Sequence, residues 1–426
     1  MNLENLKLIY VLLDGIGDLP DPSLGNSTPL EAAYTPNLDK LALNGCMGNV
    51  ISVAKGVAPQ SDIAVFNMLG YNFKDGSYVG RGVIESIGCN IDFHEGDLAL
   101  RGNFATINDD LHLIDRRAGR HILREEAQAI CETLRQQVRF TDKDASVVIE
   151  PTIGHRVIVR LRHSKVMLSE KITNTDPAYD KIDGIGIAKP TSDEIVMQKS
   201  IAQEQTEDSK LTAALVNEFS EQVIKLLKNH PVNQQRIKAG KNPMNAILLR
   251  DPGNRYPTIE PITKKYGVKV ASLVDMPVEI GISKVLEMKT FEAGGLDDYE
   301  QKAAVAARTI ENFHIVYIHI KGPDEYGHDG DAMGKTKNIE EIDKRFFGNL
   351  IDSLKVSEPT IVISGDHSTP CINKAHSDDP VPLLISGNKA TKDNSGRFTE
   401  SYASKGKLGL LMGVNVLDTA IRIVSK

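Results

Sequence analysis

The chain has 426 residues, of which 41% are hydrophobic and 25% charged, and its formal net charge is −7. This length exceeds what one hydrophobic core usually organises, so we expect two domains. No apolar run approaches the ~18 residues needed to span a bilayer, and the negative charge gives no global attraction to nucleic acid. We therefore predict a soluble protein whose partners include neither membranes nor nucleic acid. The oligomeric state stays open.

The cysteines at positions 46, 89, 131 and 371 form no C-x-x-C pair and have no regular spacing. This argues against a disulfide framework and against a thiolate zinc site, and it predicts a reducing, cytoplasmic location. The apolar run near the N-terminus has acids on both sides and no small-residue cleavage site after it. It is therefore expected to be a first strand and not a signal peptide.

That first strand, residues 8–13, is continuously apolar, which is typical of a strand covered on both faces. Asp14 follows it directly. In open α/β sheets, ligands bind beyond the carboxyl ends of the strands, so Asp14 is well placed to be a ligand. Gly15 and Gly17 suggest a dinucleotide-binding loop, but Pro20 takes the place of the third glycine, which disfavours that function.

Ser61 is expected to cap a helix that runs to about residue 70. One interpretation is an ordinary N-cap, in which the hydroxyl accepts hydrogen bonds from backbone N–H groups. The other is a nucleophile, because the positive end of the helix dipole stabilises an alkoxide or an attached phosphate. The spacing of residues leaves both interpretations open.

From about residue 97 to 190 the chain changes to short alternating stretches, 98–107, 111–114 and 157–161, which predict antiparallel strands. This region is rich in arginine, which fits either a solvated face or bidentate binding of phosphate or carboxylate. Apolar strands and helices then return, with strands at 246–249 and 268–273, so the chain is predicted to rejoin a parallel sheet. We expect one α/β domain, residues 1–88 and 201–426, interrupted by an inserted substrate-binding module, residues 89–200.

Two further strands end in metal-binding residue types. Asp324 and His328 follow an apolar strand at 315–318, and a proline and two glycines make a helix unlikely there, so a loop is expected. Asp366 and His367 follow a strand at 360–363, and His376 comes shortly after. Carboxylate oxygens mixed with imidazole nitrogens suit Zn²⁺ or Mn²⁺.

These residues, together with Asp14 and Ser61, suffice for two cations a few ångströms apart at one edge of a sheet. Two-metal sites clamp the attacking and leaving oxygens of an in-line phosphoryl displacement and activate a bound hydroxyl as a nucleophile. The sequence therefore points to phosphoryl-transfer chemistry.

At these positions the chain resembles the alkaline phosphatase superfamily and, within it, the archaeal type of cofactor-independent phosphoglycerate mutase. The similarity runs nearly from end to end. It rests on Leu13-Asp-Gly-Ile-Gly-Asp18, Pro59-Gln-Ser-Asp62, Leu69-Gly-Tyr71, Tyr78-Val-Gly-Arg-Gly82, Arg101-Gly-Asn-Phe-Ala-Thr106, residues 115–120, residues 319–331 and Gly365-Asp-His-Ser-Thr369. The resemblance implies an alkaline-phosphatase-like parallel-sheet core with helices on both faces, interrupted by a smaller α+β domain.

The resemblance also implies residue roles. One metal would be held by Asp324, His328 and His376. The other would be held by Asp14, Asp366, His367 and the hydroxyl of Ser61, which would be the phosphoryl-accepting nucleophile. The expected cofactors are two divalent ions, Mn²⁺ first, with Zn²⁺, Co²⁺ or Mg²⁺ as alternatives, and no 2,3-bisphosphoglycerate. The candidates for gripping glycerate are the arginines Arg81, Arg101, Arg116, Arg117, Arg120 and Arg156.

Three functions compete at this point. The first is an isomerase of glycolysis and gluconeogenesis that interconverts 3-phosphoglycerate and 2-phosphoglycerate through phosphoserine. The second is a metal-dependent phosphatase or phosphodiesterase of the same superfamily, in which water takes the phosphate. The third is a metal-binding regulatory protein without catalysis. The arginine-rich insert favours the mutase, because a phosphatase has no need to hold the dephosphorylated product.

Overall fold

The structure is a computed structural model that describes residues 5–73, 77–182, 185–188, 195–354 and 359–425. No helix within these ranges is long and apolar enough to cross a membrane. The strands are β1 (Leu8–Leu13), β2 (Gly45–Ile51), β3 (Leu98–Ile107), β4 (Leu113–Asp115), β5 (Ala145–Pro151), β6 (Arg156–His163), β7 (Tyr179–Ile182), β8 (Ile185–Ala188), β9 (Ala246–Gly253), β10 (Val270–Leu273), β11 (Lys289–Thr290), β12 (Ile315–Ile320), β13 (Thr360–Gly365), β14 (Val381–Ser386) and β15 (Gly409–Met412).

The helices alternate with the strands at both ends of the chain. The last turn of the twelfth helix runs on into a π-helical segment, Asp343–Gly348. The α-helices are α1 (Pro29–Ala32), α2 (Pro36–Leu43), α3 (Ser61–Met68), α4 (Arg81–Gly88), α5 (Arg124–Gln137), α6 (Glu207–Leu227), α7 (Pro231–Lys238), α8 (Ile262–Tyr266), α9 (Pro277–Val285), α10 (Tyr299–Thr309), α11 (Pro323–Asp329), α12 (Ala332–Ile342), α13 (Asn349–Ser353), α14 (Glu400–Ala403) and α15 (Val416–Val424).

The chain forms two compact units. The first comprises Met1–Asn72, Glu260–Asp275 and Ile282–Lys426, and the second comprises Phe73–Ile259 and Met276–Gly281. The second unit is thus larger than the predicted insert, residues 89–200. It also includes residues 73–88, 201–259 and 276–281. Its role as a substrate-binding module stays a prediction.

An eight-stranded sheet forms the centre of the first unit, in the order β11-β10-β12-β1-β13-β14-β2-β15. Strand β1 pairs in parallel with β12 on one side and β13 on the other. Only β14 is antiparallel to its neighbours. All six residues of β1 are buried, as the uninterrupted apolar run predicted. The predicted α/β fold class, a mostly parallel sheet core, is confirmed.

The second unit contains a five-stranded antiparallel sheet, in which β3 pairs with β4, β6 and β9, and β6 pairs with β5. The predicted antiparallel character of this region is confirmed. The prediction for β9 was wrong, because it was assigned to the parallel sheet and instead pairs antiparallel with β3. A short apolar run does not indicate which strand it pairs with, because strands buried on both faces occur in parallel and in antiparallel sheets. Apolar side chains of β3, β6, β9, α5 and α6 form this unit's main core.

Candidate active site

The candidate site lies in the first unit, at the carboxyl ends of three adjacent strands. Leu13, the last residue of β1, lies opposite Ile320 of β12 and Gly365 of β13. The residues that follow these strands, Asp14, Lys321 and Asp366, therefore lie at one edge of the sheet. Parallel pairing in common register is the reason that residues so distant in sequence meet there.

The Asp14 cluster, defined as Asp14, Asp366 and His367, is almost entirely buried. Its potential ligand atoms lie within 4.8 Å of one another. Nε2 of His367 lies 3.5 Å from Oδ1 of Asp14 and 3.4 Å from Oδ2 of Asp366. The structure thus brings together three of the residues proposed to hold one metal.

Ser61 joins this cluster through its hydroxyl, whose Oγ lies 3.2 Å from Nε2 of His367. The expectation that Ser61 caps helix α3 was off by one position, because Gln60 is the N-cap and Ser61 is the first helical residue. The hydroxyl therefore points toward the cluster. This position places the hydroxyl at the positive end of the helix and beside the imidazole of His367.

The Asp324 cluster, defined as Asp324, His328 and His376, adjoins the Asp14 cluster. Oδ1 of Asp324 lies 3.6 Å from Nε2 of His328 and 3.3 Å from Nε2 of His376. The rings of His376 and His367 stack with centroids 3.8 Å apart. The two clusters therefore share a boundary made of stacked imidazoles.

The expected loop at Asp324 and His328 is wrong, because both residues lie on helix α11. Its proline occupies the first turn, where the missing N–H costs nothing, and Gly330 ends the helix in the left-handed region at φ 74°. Residues four positions apart share one face of a helix, so Asp324 and His328 point the same way. The proline and the final glycine thus mark the ends of a helix and do not exclude one.

Backbone carbonyls orient the imidazoles of the Asp324 cluster. Nδ1 of His376 lies 2.7 Å from the carbonyl oxygen of Pro59, and Nδ1 of His328 lies 3.2 Å from that of Lys374. A carbonyl only accepts, so each Nδ1 carries the proton and donates it. In the neutral ring, Nε2 then carries the lone pair and faces the cluster, which is the arrangement that a metal-ligating histidine requires.

The carboxylates are held ionised by their neighbours. Burial raises the pKa of Asp14, but the Lys321 ammonium and the nearby imidazoles outweigh it and hold this pKa well below its usual range. Burial and the Asp14 charge raise the pKa of Asp324, but His376 and His367 outweigh them and hold it below its usual range. Burial lowers the pKa of His367, but Asp366, then Asp14 and Asp324, raise it to about 9. In the metal-free protein His367 is therefore protonated at neutral pH, and cation binding must release that proton.

The residues present fit divalent cations. One oxygen of Asp14 binds Nζ of Lys321 at 2.9 Å, and one oxygen of Asp366 accepts the backbone N–H groups of Gly15 and His367. The other oxygens, Asp14 Oδ1 and Asp366 Oδ2, are buried without a hydrogen-bond partner among the described residues. Buried carboxylate oxygens without partners are costly unless a cation balances them. The mixed oxygen and nitrogen donors suit Zn²⁺ or Mn²⁺.

Three residues at this edge were not among the predicted site residues. His319 of β12 has its Nε2 3.5 Å from Oδ2 of Asp366, and Lys321 binds Asp14. The hydroxyl of Thr369 lies between the two clusters, 2.6 Å from Oδ1 of Asp324. A histidine and a lysine at the end of an apolar strand were visible in the sequence as polar interruptions. Nothing in the sequence distinguished Thr369.

In the second unit, burial raises the pKa of Glu85, but the charges of three predicted arginines, Arg101, Arg81 and Arg156, outweigh it and lower that pKa. Nε of Arg81 lies 2.8 Å from Oε1 of Glu85, and Nε of Arg101 lies 3.6 Å from the same oxygen. Burial, then the charge of Arg81, lowers the pKa of Arg101 to about 9. Burial, then the charge of Arg156, lowers the pKa of His155 to about 2. Two buried acids, Glu85 and Glu279, act on Arg156, so this part of the unit is a buried group of charges of both signs.

A second arrangement in this unit centres on Asp176, which accepts hydrogen bonds from Arg116 at 3.0 Å and from Arg250 at 3.3 Å. The guanidinium of Arg250 stacks 3.8 Å from the ring centroid of Tyr179. Arg250, Asp176 and Tyr179 were missed, although Arg250 was detectable as a charge that closes an apolar strand.

The remaining two predicted arginines lie beside Arg116. Burial, then the charge of Arg120, lowers the pKa of Arg117. Arg120 itself is exposed and adopts a positive φ of 60°. Both are on the segment that follows β4. Each predicted arginine is thus in the second unit, and its role in substrate binding stays a prediction.

These features are typical of one class of enzyme. A serine at a helix N-terminus beside two adjoining carboxylate–imidazole clusters, at the carboxyl edge of a mostly parallel sheet, is the arrangement typical of metal-dependent phosphoryl-transfer enzymes.

Comparison with known proteins agrees with that class and narrows it. The family model for 2,3-bisphosphoglycerate-independent phosphoglycerate mutase matches residues 42–233. The chain is 38% identical to the 2,3-bisphosphoglycerate-independent phosphoglycerate mutase of Aeropyrum pernix, with 96% of this chain and 97% of the relative covered. It is 36% identical to the enzyme of the same name from Methanosphaera stadtmanae, with 97% and 96% covered.

Solved structures give the same result. The chain superposes on the PH0037 protein from Pyrococcus horikoshii with a TM-score of 0.77 at 28% identity, covering 99% of this chain and 97% of the other. For the cofactor-independent phosphoglycerate mutase of Thermoplasma acidophilum the TM-score is 0.62 at 27% identity, with 98% and 100% covered. The chain belongs to the 2,3-bisphosphoglycerate-independent phosphoglycerate mutase family. The resemblance drawn from its motifs, and the isomerase class that goes with it, are confirmed at the level of the family.

Proposed function

We propose that this protein interconverts 3-phosphoglycerate and 2-phosphoglycerate through a phosphoserine on Ser61, without 2,3-bisphosphoglycerate. The observation that carries the proposal is the contact of the Ser61 hydroxyl with the Asp14 cluster, 3.2 Å from Nε2 of His367. Membership of the mutase family supports the choice of substrate. The physiological setting would be glycolysis and gluconeogenesis in the cytoplasm, and the free thiols of all four cysteines are consistent with a reducing compartment.

Two divalent cations belong to this proposal, with Mn²⁺ as the first choice and Zn²⁺, Co²⁺ or Mg²⁺ as alternatives. Asp324, His328 and His376 would hold one. Asp14, Asp366, His367 and the Ser61 hydroxyl would hold the other. When bound, such cations neutralise charge on phosphoryl oxygens and lower the pKa of a coordinated hydroxyl.

The chain's own residues then perform the transfer. The hydroxyl of Ser61 loses its proton and its oxygen forms a bond to phosphorus as the bond between phosphorus and the substrate oxygen breaks. The released oxygen takes up a proton and becomes a hydroxyl of glycerate, while the N-terminal turn of α3 stabilises the charge on the attached phosphate. Glycerate, which is now free of phosphate, must stay bound and present its other hydroxyl to the phosphoserine. Return of the phosphoryl group to that oxygen completes the isomerisation.

We further propose that arginines of the second unit hold the anionic groups of the substrate and of free glycerate. Arg81, Arg101 and Arg156 form one group around Glu85. Arg116, Arg117 and Arg120 form another. Guanidinium groups suit this task because their paired N–H donors match a carboxylate or a phosphate. A hydrolase has no need to retain the dephosphorylated product, so this retention is what separates a mutase from a phosphatase.

The test is an enolase-coupled assay on 3-phosphoglycerate with Mn²⁺ and without 2,3-bisphosphoglycerate, run beside a free-phosphate assay. We expect 2-phosphoglycerate to exceed released phosphate by a large factor, and Ser61→Ala to abolish both products. Ser164→Ala, which removes a hydroxyl bound to Asp144 on an exposed turn, is the control and should behave as wild type. Phosphate as the main product would favour a phosphatase, and no turnover at all would favour a binding protein.

The arginine proposal is tested in the same assay. Changing Arg116, Arg117 and Arg120 together to Gln should lower the ratio of 2-phosphoglycerate formed to phosphate released, because glycerate escapes and water takes the phosphoryl group. The matched control changes three arginines on or directly after helix α5 of the same unit to Gln, at positions 124, 135 and 139. A parallel fall of both products, with the ratio unchanged, would contradict the proposed role.

A further inference from the structure

The hydroxyl of Thr369 lies between the two clusters and contacts one residue of each. Its Oγ1 is 2.6 Å from Oδ1 of Asp324 and 3.0 Å from Nδ1 of His367. A threonine hydroxyl has one hydrogen to donate, and an ionised carboxylate only accepts. The hydroxyl therefore donates to Asp324, and it accepts the Nδ1–H of His367.

This direction of hydrogen bonding has a consequence for each cluster. For His367, a proton fixed on Nδ1 makes Nε2 the nitrogen that is available to a cation, and Nε2 is the atom directed at Ser61 and Asp366. For Asp324, the hydroxyl holds the same oxygen that faces the two imidazoles of its own cluster. One side chain thus orients a ligand in both clusters.

The backbone of Thr369 is fixed by buried contacts. Its N–H donates to the carbonyl oxygen of Gly17 at 3.0 Å, and its own carbonyl accepts Nζ of Lys335 at 3.0 Å. Lys335 is fully buried and forms an ion pair with Asp18 at 2.7 Å. A buried ion pair with this many additional bonds holds its partners in one geometry. The backbone that carries the Thr369 side chain is therefore held in place beside the clusters.

Two glycines leave the space that Thr369 occupies. A β-carbon on Gly15 would lie 2.6 Å from Oγ1 of Thr369, and φ at Gly15 is +62°. A β-carbon on Gly327, in helix α11, would overlap the carbonyl oxygen of Thr369. Real side chains do not approach so closely. Glycine at both positions is therefore what allows the strand end and helix α11 to close around the threonine.

We propose that Thr369 is a positioning residue that couples the two cation sites of the clusters. This inference rests on the proposed two-metal function. A cation at the Asp324 cluster fixes Asp324, and the hydrogen bond through Thr369 then fixes His367 in the orientation that the other cluster needs. Coupling of this kind is reciprocal, because each site must change the affinity of the other by the same factor. Hydrogen-bond partners of metal ligands typically change metal affinity by about 10–100-fold when they are removed.

The test is calorimetric titration of the chelator-treated full-length protein with Mn²⁺. It compares wild type, Thr369→Val and Thr369→Ser, each alone and combined with His328→Ala. Thr369→Val keeps the shape and removes the hydroxyl. In wild type, His328→Ala should remove one site and weaken the remaining one by about 10-fold or more. In the Thr369→Val protein, the affinity of the Asp14 cluster for Mn²⁺ should be equally low with or without His328→Ala. Serine should restore the wild-type pattern.

Thr336→Val is the matched control, because the hydroxyl of this buried threonine on α12 donates to the carbonyl oxygen of Ala332, at 2.8 Å, within its own helix. It should leave both affinities unchanged. If Thr369→Val does not fold, Thr369→Ala takes its place in the same comparison. The inference is overturned if the hydroxyl-free variant binds both ions as wild type does, or if His328→Ala has the same effect in both backgrounds.

The outcomes separate this inference from the proposed function. Coupled binding of two ions by a protein without mutase activity would leave the inference standing and remove the function. An active mutase whose two sites bind independently of Thr369 would do the reverse.

Discussion

Two regions of this protein contain the same residue types at similar distances, yet their chemistry differs. The Asp324 cluster lies in the first unit. In the second unit, Asp142, Asp144 and His163, which we name the Asp142 cluster, also place their potential ligand atoms within 4.8 Å of one another. Because both clusters have suitable ligand types and spacing, they can differ as candidate metal sites only through the partners of those residues.

The difference lies in the partners of the imidazole. In the Asp142 cluster, Nδ1 of His163 accepts the backbone N–H groups of Lys165 and Val166, at 3.2 and 3.1 Å. The proton is therefore on Nε2, which donates to Asp142 at 3.2 Å. In the Asp324 cluster Nδ1 donates to carbonyls, so in the neutral rings the lone pair is on Nε2. Only the second arrangement leaves nitrogen lone pairs for a cation.

The carboxylates differ as well. Asp144 pairs with Nζ of Lys165 at 2.6 Å and accepts the Ser164 hydroxyl at 3.0 Å, while Asp142 accepts the N–H of Asp144. Both acids of the Asp142 cluster are thus satisfied by the chain itself. In the first unit, Asp14 and Asp366 each retain a buried oxygen without a hydrogen-bond partner among the described residues. We infer that the Asp142 cluster is a charge-paired turn.

The largest expected effect comes from the same substitution made in each region. Asp324→Asn should reduce mutase activity by more than about 100-fold and lower the bound metal, because it removes a charged ligand. Asp144→Asn should change neither. The measurements are the coupled assay and elemental analysis of dialysed protein. A loss of bound metal in Asp144→Asn would show that the Asp142 cluster also holds a cation.

A smaller effect is expected from adding metal to chelator-treated protein. Binding to the folded state alone stabilises it by about 2.7 kcal/mol at 100 times the dissociation constant, which corresponds to a rise in melting temperature of about 5–10 °C. Wild type and Asp144→Asn should show the same rise on addition of Mn²⁺, and Asp324→Asn a smaller one. The measurement is thermal unfolding with and without Mn²⁺. An identical rise in melting temperature in all three proteins would mean that the Asp324 cluster does not bind the metal.

The smallest expected effect is a pH dependence of stability that belongs to the Asp142 cluster. The N–H of Asp144 and then His163 lower the pKa of Asp142, and Lys165 lowers the pKa of Asp144. Because both pKa values are lower in the folded state, the unfolded state binds protons first as the pH falls. The stability that these acids contribute is complete above their unfolded pKa of about 4 and is lost as the pH falls through the folded values.

The variant Asp142→Asn/Asp144→Asn isolates this contribution. It should melt slightly below wild type at pH 6, and the difference should shrink toward pH 3. The experiment is a series of melts with chelator present throughout, so that no cation contributes. A difference that stays constant across this range would indicate lost packing and not lost charge. The effect is small because the two carboxylates are partly exposed to solvent, which screens their charges.

The apolar runs and the polar residues that follow them indicate where the chemistry lies. The apolar runs that became β1, β12 and β13 were readable directly, and Asp14, Asp366 and His367 follow two of them. Because parallel strands in a common register end at one edge, residues just beyond those ends had to meet there. The family likewise followed from motifs that are local in the chain. These inferences depend only on the pattern of apolar residues along the chain and on where each strand ends.

What each residue can do at that edge depends on contacts between distant parts of the chain. Nδ1 of His376 is fixed by a carbonyl 317 positions away in the sequence. Thr369 meets Asp324 across 45 positions. The proton positions on the imidazoles depend on such contacts, and so does the difference between the Asp324 and Asp142 clusters. A sequence pattern specifies which atoms a residue carries, but a hydrogen bond depends on the direction from which a distant partner arrives. That direction is set by the packing of the whole unit.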